Sequence, residues 1–260
     1  MGVLLQANNV SKHYGSYVAL SDVNMSIAEG EFISIVGPNG AGKSTLVNVL
    51  TGLLKPTKGS VHFQGGDIAG IGPVELGRRG MARAFQLVNI FPDLSVRETL
   101  SVAVASRLKR IGNPLRSLRR DGELQEAVED VAAVFGFSQR LDRTTRTLSQ
   151  GEKKLLDVAS AFALQPELIL VDEPTSGVST ADKHGIMELL VQAAKRTGVK
   201  GIIQVEHDMD LVARYSDRII ALQSGKVLAD EAPETFFRNP ALISAVVGTR
   251  TPVVAERRRA

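Results

Sequence analysis

The 260-residue sequence predicts an α/β protein with a mostly parallel sheet covered by helices. Three observations favour this fold class. The first and last thirds of the chain carry strand-like runs, a glycine-rich loop separates a buried strand from a helix, and the middle third is helical. The composition, with 43% hydrophobic and 23% charged residues, is that of an ordinary globular protein.

The first third is predicted to contain three strands and one helix. Residues 18–27 and 60–64 alternate apolar and polar side chains, as half-buried strands do. Residues 31–36 are a short strand-like run that ends in the glycine-rich loop. Residues 43–51 have a helical pattern, with Gly52 as the stop signal.

The middle of the chain is predicted to be an inserted helical subdomain. Helical patterning runs from about residue 95 to residue 164, with breaks at 112–114 and Gly136. Residues 107–120 carry six basic and no acidic groups, whereas residues 121–130 carry five acidic and no basic groups. This distribution predicts a polarised surface on the subdomain.

The last third returns to alternating strands and helices. A helix is predicted over 182–195, and residues 218–222 and 226–229 flank a short turn typical of a hairpin. Two buried strands are each followed by polar side chains: 168–171 by Asp172 and Glu173, and 202–205 by Glu206 and His207.

Charge and composition exclude several classes of protein. The chain has no cysteine, which excludes disulfides, thiolate metal sites and cysteine nucleophiles. The net charge of +3 resides in residues 250–260, and residues 1–249 hold 27 basic and 27 acidic groups. A neutral body does not favour a general nucleic-acid binder. Neither a signal peptide nor an apolar run of membrane-spanning length is visible, so any membrane-spanning part is expected to come from other chains.

Residues 37–45, GPNGAGKST, fit the phosphate-binding pattern G-x-x-x-x-G-K-[ST]. Its glycines let successive N–H groups point at phosphate oxygens, Lys43 supplies a cation to the β- and γ-phosphates, and the Ser44 hydroxyl is placed to ligate Mg²⁺. A chance glycine-rich turn is the alternative, but the position between a strand and a helix argues against it. The predicted nucleotide-binding residues are Asn39, Gly40, Ala41, Gly42, Lys43, Ser44 and Thr45.

The strand over 168–171 carries the second half of the predicted chemistry. Asp172 is placed to hold Mg²⁺, directly or through water, and Glu173 is placed as the general base for an attacking water. The alternative is that the two acidic residues only mark a strand end exposed to solvent. The presence of the phosphate-binding loop in the same chain argues against this alternative.

With the segment LSQGE at 148–152, these motifs resemble the ATP-binding subunit of ABC transporters over about residues 5–248. The resemblance implies a P-loop NTPase core with a mostly parallel sheet and an N-terminal antiparallel β-subdomain. It places the core in residues 1–87 and 160–248 and an inserted α-helical subdomain with the signature segment in 88–159. Residues 249–260, beyond the resemblance, are predicted to be a basic flexible tail.

The signature segment implies a second cassette. Ser149 and the N–H groups near Gly151 cap a helix start, which makes a second anion site. The resemblance implies that this site faces the ATP held by a partner chain, in a head-to-tail dimer enclosing two nucleotides. The partner is either a second copy or a similar paralogue.

Three further residues take roles from the resemblance. Gln86 resembles the glutamine that touches Mg²⁺ and the attacking water, and His207 resembles the histidine that contacts the γ-phosphate. Tyr14 resembles the aromatic residue that stacks on adenine, with Tyr17 as a competing candidate. The alternatives are a surface amide for Gln86, a satisfied histidine at a strand end for His207, and a core aromatic for Tyr14.

The sequence departs from the family pattern at three positions. Gln150 replaces a glycine and Glu152 a glutamine in the signature segment, and Ser179 replaces an aspartate in the loop after Glu173. None of these changes removes a metal ligand or the general base, so we expect an active ATPase that uses ATP and Mg²⁺.

Residues 205–209, 216–219 and 239–248 resemble uptake systems for branched-chain amino acids and related solutes such as urea and amides. This implies an importer with two membrane permease subunits, an extracytoplasmic solute-binding protein, and an ATPase held at the cytoplasmic face of the membrane. Residues 87–100 are the candidate permease contact, through Phe91, Pro92 and Leu94, unless these three residues pack the subdomain itself.

Other functions remain open from the sequence. An ATPase for lipid or polysaccharide export is the nearest alternative, followed by a non-transport ABC ATPase acting on DNA. A translation-associated ATPase is disfavoured by the single cassette, and a GTPase by the lack of an N-K-x-D motif. The basic tail is expected to be a solvated terminus, with weak contact to anionic lipid as the alternative.

Overall fold

The computed structural model describes residues 2–84, 91–110 and 118–247, apart from the side chain of residue 181. The chain divides into two compact units, Met1–Arg79 with Lys200–Ala260, and Gly80–Val199. In the described residues the strands are β1 (Val3–Tyr14), β2 (Tyr17–Ala28), β3 (Phe32–Val36), β4 (Lys58–Phe63), β5 (Gly66–Asp67), β6 (Met81–Ala84), β7 (Leu168–Asp172), β8 (Gly201–Val205), β9 (Arg218–Gln223) and β10 (Lys226–Glu231). The α-helices are α1 (Lys43–Leu50), α2 (Pro73–Arg78), α3 (Val96–Arg107), α4 (Gly122–Val134), α5 (Gln150–Ala163), α6 (Thr180–Thr197), α7 (Met209–Tyr215), α8 (Pro233–Phe237) and α9 (Pro240–Val247).

The first unit contains both kinds of strand pairing that the sequence predicts. An antiparallel sheet has the order β2-β1-β4-β5. The strands β3, β8 and β9 form a parallel arrangement with β3 in the middle. Ile33 of β3 lies opposite Ile203 of β8 on one side and opposite Arg218 of β9 on the other. Every residue of β3 is buried, as expected for a central strand of a parallel sheet. The predicted strands over 18–27, 31–36, 60–64 and 202–205 are confirmed to within a few residues.

A two-residue turn joins β9 and β10 into the predicted hairpin. Gln223 pairs with Lys226, and the turn residues Ser224 and Gly225 have φ of 47° and 76°. Positive φ at both central positions is the requirement of the turn type that matches the twist of a hairpin. The turn also supports the glycine-rich loop, because the Gly225 N–H donates to the Ala41 carbonyl at 2.9 Å.

The second unit combines a strand pair with packed helices. β6 and β7 are parallel, with Ala84 opposite Val171. Helix α5 packs against α3, α4, α6 and both strands, and the Phe135 and Phe162 rings meet at 5.4 Å between centroids. The helical pattern predicted for the middle third is confirmed in α3, α4 and α5. The predicted helix over 182–195 is also confirmed, and it extends over Thr180–Thr197.

Some described residues of the two charge runs of the middle third form ion pairs. Arg110 lies 3.6 Å from the Asp121 carboxylate and 2.8 Å from that of Glu123. Arg119 reaches back to Glu98 at 2.7 Å. Arg110 therefore pairs with two residues of the acidic run, and the polarised surface of the subdomain stays a prediction.

Some elements differ from the sequence prediction. Residues 137–148 form short 3₁₀ turns and irregular backbone where helical patterning was expected. The cause is tertiary, since the Thr145 N–H donates to the Leu94 carbonyl and the Val96 N–H to the Arg143 carbonyl. Strands β1, β5 and β6 and helices α2, α7, α8 and α9 were not predicted individually. The assignment of residues 88–159 to a separate helical subdomain stays a prediction.

No helix of the described residues has both the length and the apolar character needed to cross a membrane.

Candidate functional site: a phosphate-binding loop and a carboxylate pair

The glycine-rich loop of the first unit has a backbone that only glycine allows at two positions. Gly42, immediately before α1, has φ of 103°, and a Cβ there would lie 2.7 Å from the Ala19 carbonyl oxygen. At Gly37, with φ of 151°, a Cβ would lie 2.3 Å from the Leu222 carbonyl oxygen. Both contacts are shorter than atoms tolerate, so the loop depends on the missing side chains.

Lys43 begins α1 and turns its ammonium back into the loop. Its Nζ donates to the carbonyl oxygens of Gly37 at 2.7 Å and Pro38 at 3.0 Å, and the side chain is buried. A buried ammonium is costly unless it is hydrogen-bonded, and here the loop backbone supplies the partners. The loop therefore fixes a positive charge in its own interior.

The start of α1 suits an anion. Gly42, its N-cap, provides no side chain to cap the first turn, and the first turn contains no acidic residue. The helix dipole and the first N–H groups both favour negative charge at this end. Ser44 is exposed and Thr45 is half-buried, whereas Asn39 and Gly40 lie exposed on the loop. A phosphate chain is the ligand that this arrangement suits.

Tyr14 and Tyr17 face each other at the end of the β1–β2 hairpin, and both side chains are at least half exposed. A role as core aromatics is therefore excluded. The Lys12 ammonium lies 5.3 Å from the centroid of the Tyr14 ring, which is a cation–π contact. An exposed ring can stack on a flat ligand, and the choice of Tyr14 stays a prediction.

His207 lies in the short turn between β8 and α7, with an exposed side chain. Its backbone N–H donates to the buried carboxylate of Glu206 at 3.0 Å, and the N–H of Asp208 donates to the same oxygen at 3.3 Å. Asp208 caps α7 by accepting the Asp210 N–H. The turn is thus fixed by two carboxylates, and it presents the imidazole at the end of a parallel strand, where ligands bind in α/β sheets.

In the second unit, Asp172 ends β7 and Arg83 lies on the neighbouring strand β6. Arg83 Nη2 donates to Asp172 Oδ2 at 3.0 Å, and the two side chains are only 11% and 9% exposed. A buried carboxylate requires such a partner. The structure therefore holds the Asp172 carboxylate in a largely dry position, with the Arg83 guanidinium as its hydrogen-bond partner.

Glu173 occupies a turn with an unusual backbone. Its φ is 50°, in the left-handed region that a residue with a side chain rarely adopts. Its carbonyl oxygen accepts the Ser176 N–H at 3.1 Å and the Lys154 ammonium at 3.0 Å. The turn places the half-buried Glu173 side chain directly after the buried strand.

The signature segment forms a complete capping box at the start of α5. The Ser149 hydroxyl accepts the Glu152 N–H at 3.2 Å, and a Glu152 carboxylate oxygen accepts the Ser149 N–H at 2.7 Å. The Ser149 N–H is the largest cause that lowers the pKa of Glu152, and nearby Arg140 and Arg143 lower it further. Arg140 also forms an ion pair with Glu152. The extra negative charge in this segment is therefore balanced within the same unit.

The two remaining departures from the family pattern lie at the starts of α5 and α6. Gln150 is the first residue of α5 and is exposed. Ser179 is the N-cap of α6, and its hydroxyl donates to the Asp182 carboxylate at 2.6 Å. Gln86 lies outside the described residues, so its predicted role stays a prediction.

Sequence reasoning missed Arg83 and Lys154, the two cations that hold the acidic pair. Arg83 lies on β6, in the segment RAFQL, of which only Gln86 matches a family motif. A charged residue within a short apolar run was the available signal. Lys154 is one of two adjacent lysines on α5, and only the fold shows that one of them reaches Glu173.

The loop, the carboxylate pair and the parallel strands define a P-loop ATPase. The sequence pattern described as "ABC transporter" matches residues 20–176, more than half of the chain. The chain therefore belongs to the ABC transporter family, which confirms the resemblance and the fold class predicted from the sequence. Its enzymatic activity is that of the family, ATP hydrolysis coupled to transport.

Two curated relatives cover almost the whole chain. A probable branched-chain amino acid transport ATP-binding protein LivG of Archaeoglobus fulgidus is 32% identical over 249 residues, which are 95% of this chain and 96% of that protein. The high-affinity branched-chain amino acid transport ATP-binding protein LivG of Escherichia coli (strain K12) is 32% identical over 250 residues, or 94% and 98% of the two chains.

Solved structures agree with this assignment. The ADP conformation of an ATP-binding cassette of an ABC transporter superposes with a TM-score of 0.81 at 28% identity, covering 94% of this chain and 98% of that one. A dimeric post-hydrolysis cassette bound to ADP and Pi gives a TM-score of 0.74 at 27% identity, covering 88% and 99% of the two chains.

Proposed function

We propose that this chain is the ATP-binding and hydrolysing subunit of an ABC importer for branched-chain amino acids or related small solutes. The ATPase activity in this proposal rests on the loop at 37–45. Lys43 is held inside this loop, and the helix that follows it begins without a side-chain cap. The solute class rests on the two relatives, both named for branched-chain amino acid transport and matched over nearly their full length.

In this proposal the loop binds the triphosphate of ATP. The N–H groups of residues 39–45 surround the phosphate oxygens, and Lys43 neutralises the β- and γ-phosphates. The loop carbonyls that hold the ammonium keep this charge in place, so little reorganisation is needed when the nucleotide binds. Tyr14 stacks on the adenine ring, which its exposure permits.

The acidic pair performs the hydrolytic part. Glu173 accepts a proton from water as the water oxygen bonds to the γ-phosphorus, the bond to the β-phosphate oxygen breaks, and ADP and phosphate are the products. His207 and Gln86 contact the γ-phosphate and the attacking water. These roles come from the family resemblance. They are supported by the exposed His207 and the half-buried Glu173, each of which lies just after a parallel strand.

Mg²⁺ fits the oxygen donors that the chain offers. The Ser44 hydroxyl, the Asp172 carboxylate and the Gln86 amide are hard ligands of the kind that Mg²⁺ prefers together with phosphate oxygens. Bound there, the ion would neutralise charge on the β- and γ-phosphates. Arg83 supports this role because its guanidinium fixes the position of the Asp172 carboxylate through a hydrogen bond of 3.0 Å.

The signature segment contacts the nucleotide of a second cassette. At Gly151 a Cβ would meet only the Val178 methyl groups at 3.8 Å, an ordinary contact, so packing with the described residues does not require glycine. Close approach of an external phosphate would require it. The partner cassette is a second copy of this chain or a similar ATPase subunit, and the dimeric relative bound to ADP and Pi supports such a pair.

Permease docking is assigned to the part of 87–100 that is described. Phe91 is 62% exposed and Pro92 is also exposed, whereas Leu94 is half-buried. The backbone beneath is fixed, since the Thr145 hydroxyl donates to the Phe91 carbonyl at 2.6 Å. An exposed ring on a fixed backbone supports contact with another chain rather than packing of the subdomain. Two permease subunits would then hold the ATPase at the cytoplasmic face of the membrane.

The ATPase mechanism is tested by Glu173→Gln. We expect ATP binding to persist and turnover to fall by at least about a hundredfold, because the amide cannot accept the proton. Glu167→Gln, an acidic residue just before β7, is the matched control and should leave turnover unchanged. Unchanged turnover in Glu173→Gln would reject the proposed base.

The importer is tested by reconstituting this chain in vesicles with two permease subunits and a solute-binding protein of a branched-chain amino acid uptake system. Leucine-loaded binding protein outside the vesicles should stimulate ATP turnover inside them, and radiolabelled leucine should accumulate. Stimulation by lipid or polysaccharide with no effect of the binding protein would instead indicate an exporter.

A further inference from the structure

A lysine of the signature helix reaches the turn that carries the proposed general base. Lys154 lies in the second turn of α5, and its Nζ donates to the Glu173 carbonyl oxygen at 3.0 Å and to the Ser176 hydroxyl. Lys154 also lines a cavity of about 10 Å³ together with Asp172 and Glu173. The ammonium therefore contacts the backbone of the proposed general base, although the ATPase mechanism above gives it no role.

The turn is one that needs support. Glu173 has φ of 50°, and this left-handed conformation is unfavourable for a residue with a side chain. The direction of the Glu173 carboxylate depends on this backbone angle, because the side chain leaves the chain at the same Cα. Holding the carbonyl on one side and Ser176 on the other fixes both ends of the turn.

Helix α5 is a firm base for such a contact. The capping box of Ser149 and Glu152 fixes its first turn, and the helix packs against β7 and α6, the elements on either side of the Glu173 turn. The Lys154 side chain is half-buried, which limits the freedom of its stem. A lysine so anchored loses less entropy in making a hydrogen bond than one on an open surface.

We propose that Lys154 is a positioning residue for ATP hydrolysis. Its ammonium holds the left-handed turn at Glu173 and so aims the carboxylate at the attacking water. This inference rests on the proposed role of Glu173 as the general base. Because Lys154 and the signature segment share α5, the same contact links that segment to the base of its own chain.

The test is steady-state ATP turnover of the whole chain carrying Lys154→Met, which keeps the apolar stem and removes the donors. We expect kcat to fall by about tenfold or more, the value of a lost hydrogen bond to a charged group, with KM for ATP and nucleotide affinity changed less than about twofold. Lys154→Arg should restore most of kcat, since its guanidinium can donate to both acceptors. Lys153→Met, at the adjacent lysine, should behave as the unmodified chain.

Ser176→Ala is a second variant in case Lys154→Met folds poorly, and a double-mutant cycle applies where both variants fold. Ser176→Ala removes one of the two acceptors and should lower kcat by a smaller factor, and adding it to Lys154→Met should cost nothing further. Unchanged kcat in Lys154→Met, or equal losses in Lys154→Arg and Lys154→Met, would overturn the inference while Glu173→Gln remained inactive. Full activity of Glu173→Gln would instead contradict the proposed role of Glu173 as the general base.

Discussion

Arg83 Nη2 and Asp172 Oδ2 form a buried ion pair at 3.0 Å between two parallel strands. The pair joins the strand before the Gln86 segment to the residue proposed to hold Mg²⁺. Its burial distinguishes it from the many surface ion pairs of this chain, which contribute little to stability.

Arg83→Met should destabilise the chain strongly. Removing the guanidinium leaves a buried carboxylate without this partner, so the free energy of unfolding should fall by about 3 kcal/mol or more. Urea unfolding at pH 7 measures this change in the free energy of unfolding. Arg79→Met is the control, because Arg79 faces Glu75 at 3.5 Å with both side chains more than 40% exposed, and it should change stability by less than about 0.5 kcal/mol. Equal effects of the two changes would contradict the assigned importance of burial.

Gly42→Ala should damage nucleotide binding. The φ of 103° and the 2.7 Å approach to the Ala19 carbonyl oxygen leave no room for a methyl group, so the loop must shift. We expect strain of about 1–3 kcal/mol and at least about tenfold weaker binding of a fluorescent ATP analogue. Gly72→Ala, at φ of −66° with open space around the position of its Cβ, should bind the analogue normally.

Glu152→Gln should leave the enzyme active. The glutamine amide oxygen can accept the Ser149 N–H as the carboxylate does, so the capping box survives and only the ion pair with Arg140 is lost. Turnover should stay within about twofold. Glu152→Leu has no acceptor and should lower both turnover and the free energy of unfolding, the latter by about 1 kcal/mol. Loss of activity in Glu152→Gln would show that the negative charge itself is needed.

The N-terminus of α3 should lose stability in acid. The Ser95 N–H, followed by Arg119 and the Ser95 hydroxyl, lowers the pKa of Glu98 from its usual 4.5 to about 2. Because the folded pKa is the lower one, this stabilisation is complete above about pH 4.5 and disappears as the pH falls through about 2. Carbon-13 NMR titration of the Glu98 carboxyl should give its low pKa. Glu98→Gln should destabilise the chain at pH 7 but much less at pH 2.5, whereas a gap independent of pH would contradict this assignment.

Local patterns in the sequence were sufficient for much of the fold. The fully buried run of β3, the alternation of β2 and the Ser224-Gly225 turn each contain their own signal, because burial and left-handed backbone restrict the residue types at single positions. The helical pattern failed over 137–148, where hydrogen bonds to 92–96 replace those of a helix. No periodicity within the segment could show that pairing.

The sequence alone determined the class of protein and the chemistry it performs. The spacing GPNGAGKST and the strand ending in Asp172 and Glu173 carry their meaning in adjacent residues, since a phosphate-binding loop is built from consecutive N–H groups. Only the tertiary structure decided what holds these residues. Arg83 and Lys154 lie 89 and 19 positions from their acceptors, and a contact across such separations depends on strand order and helix packing rather than on any local pattern.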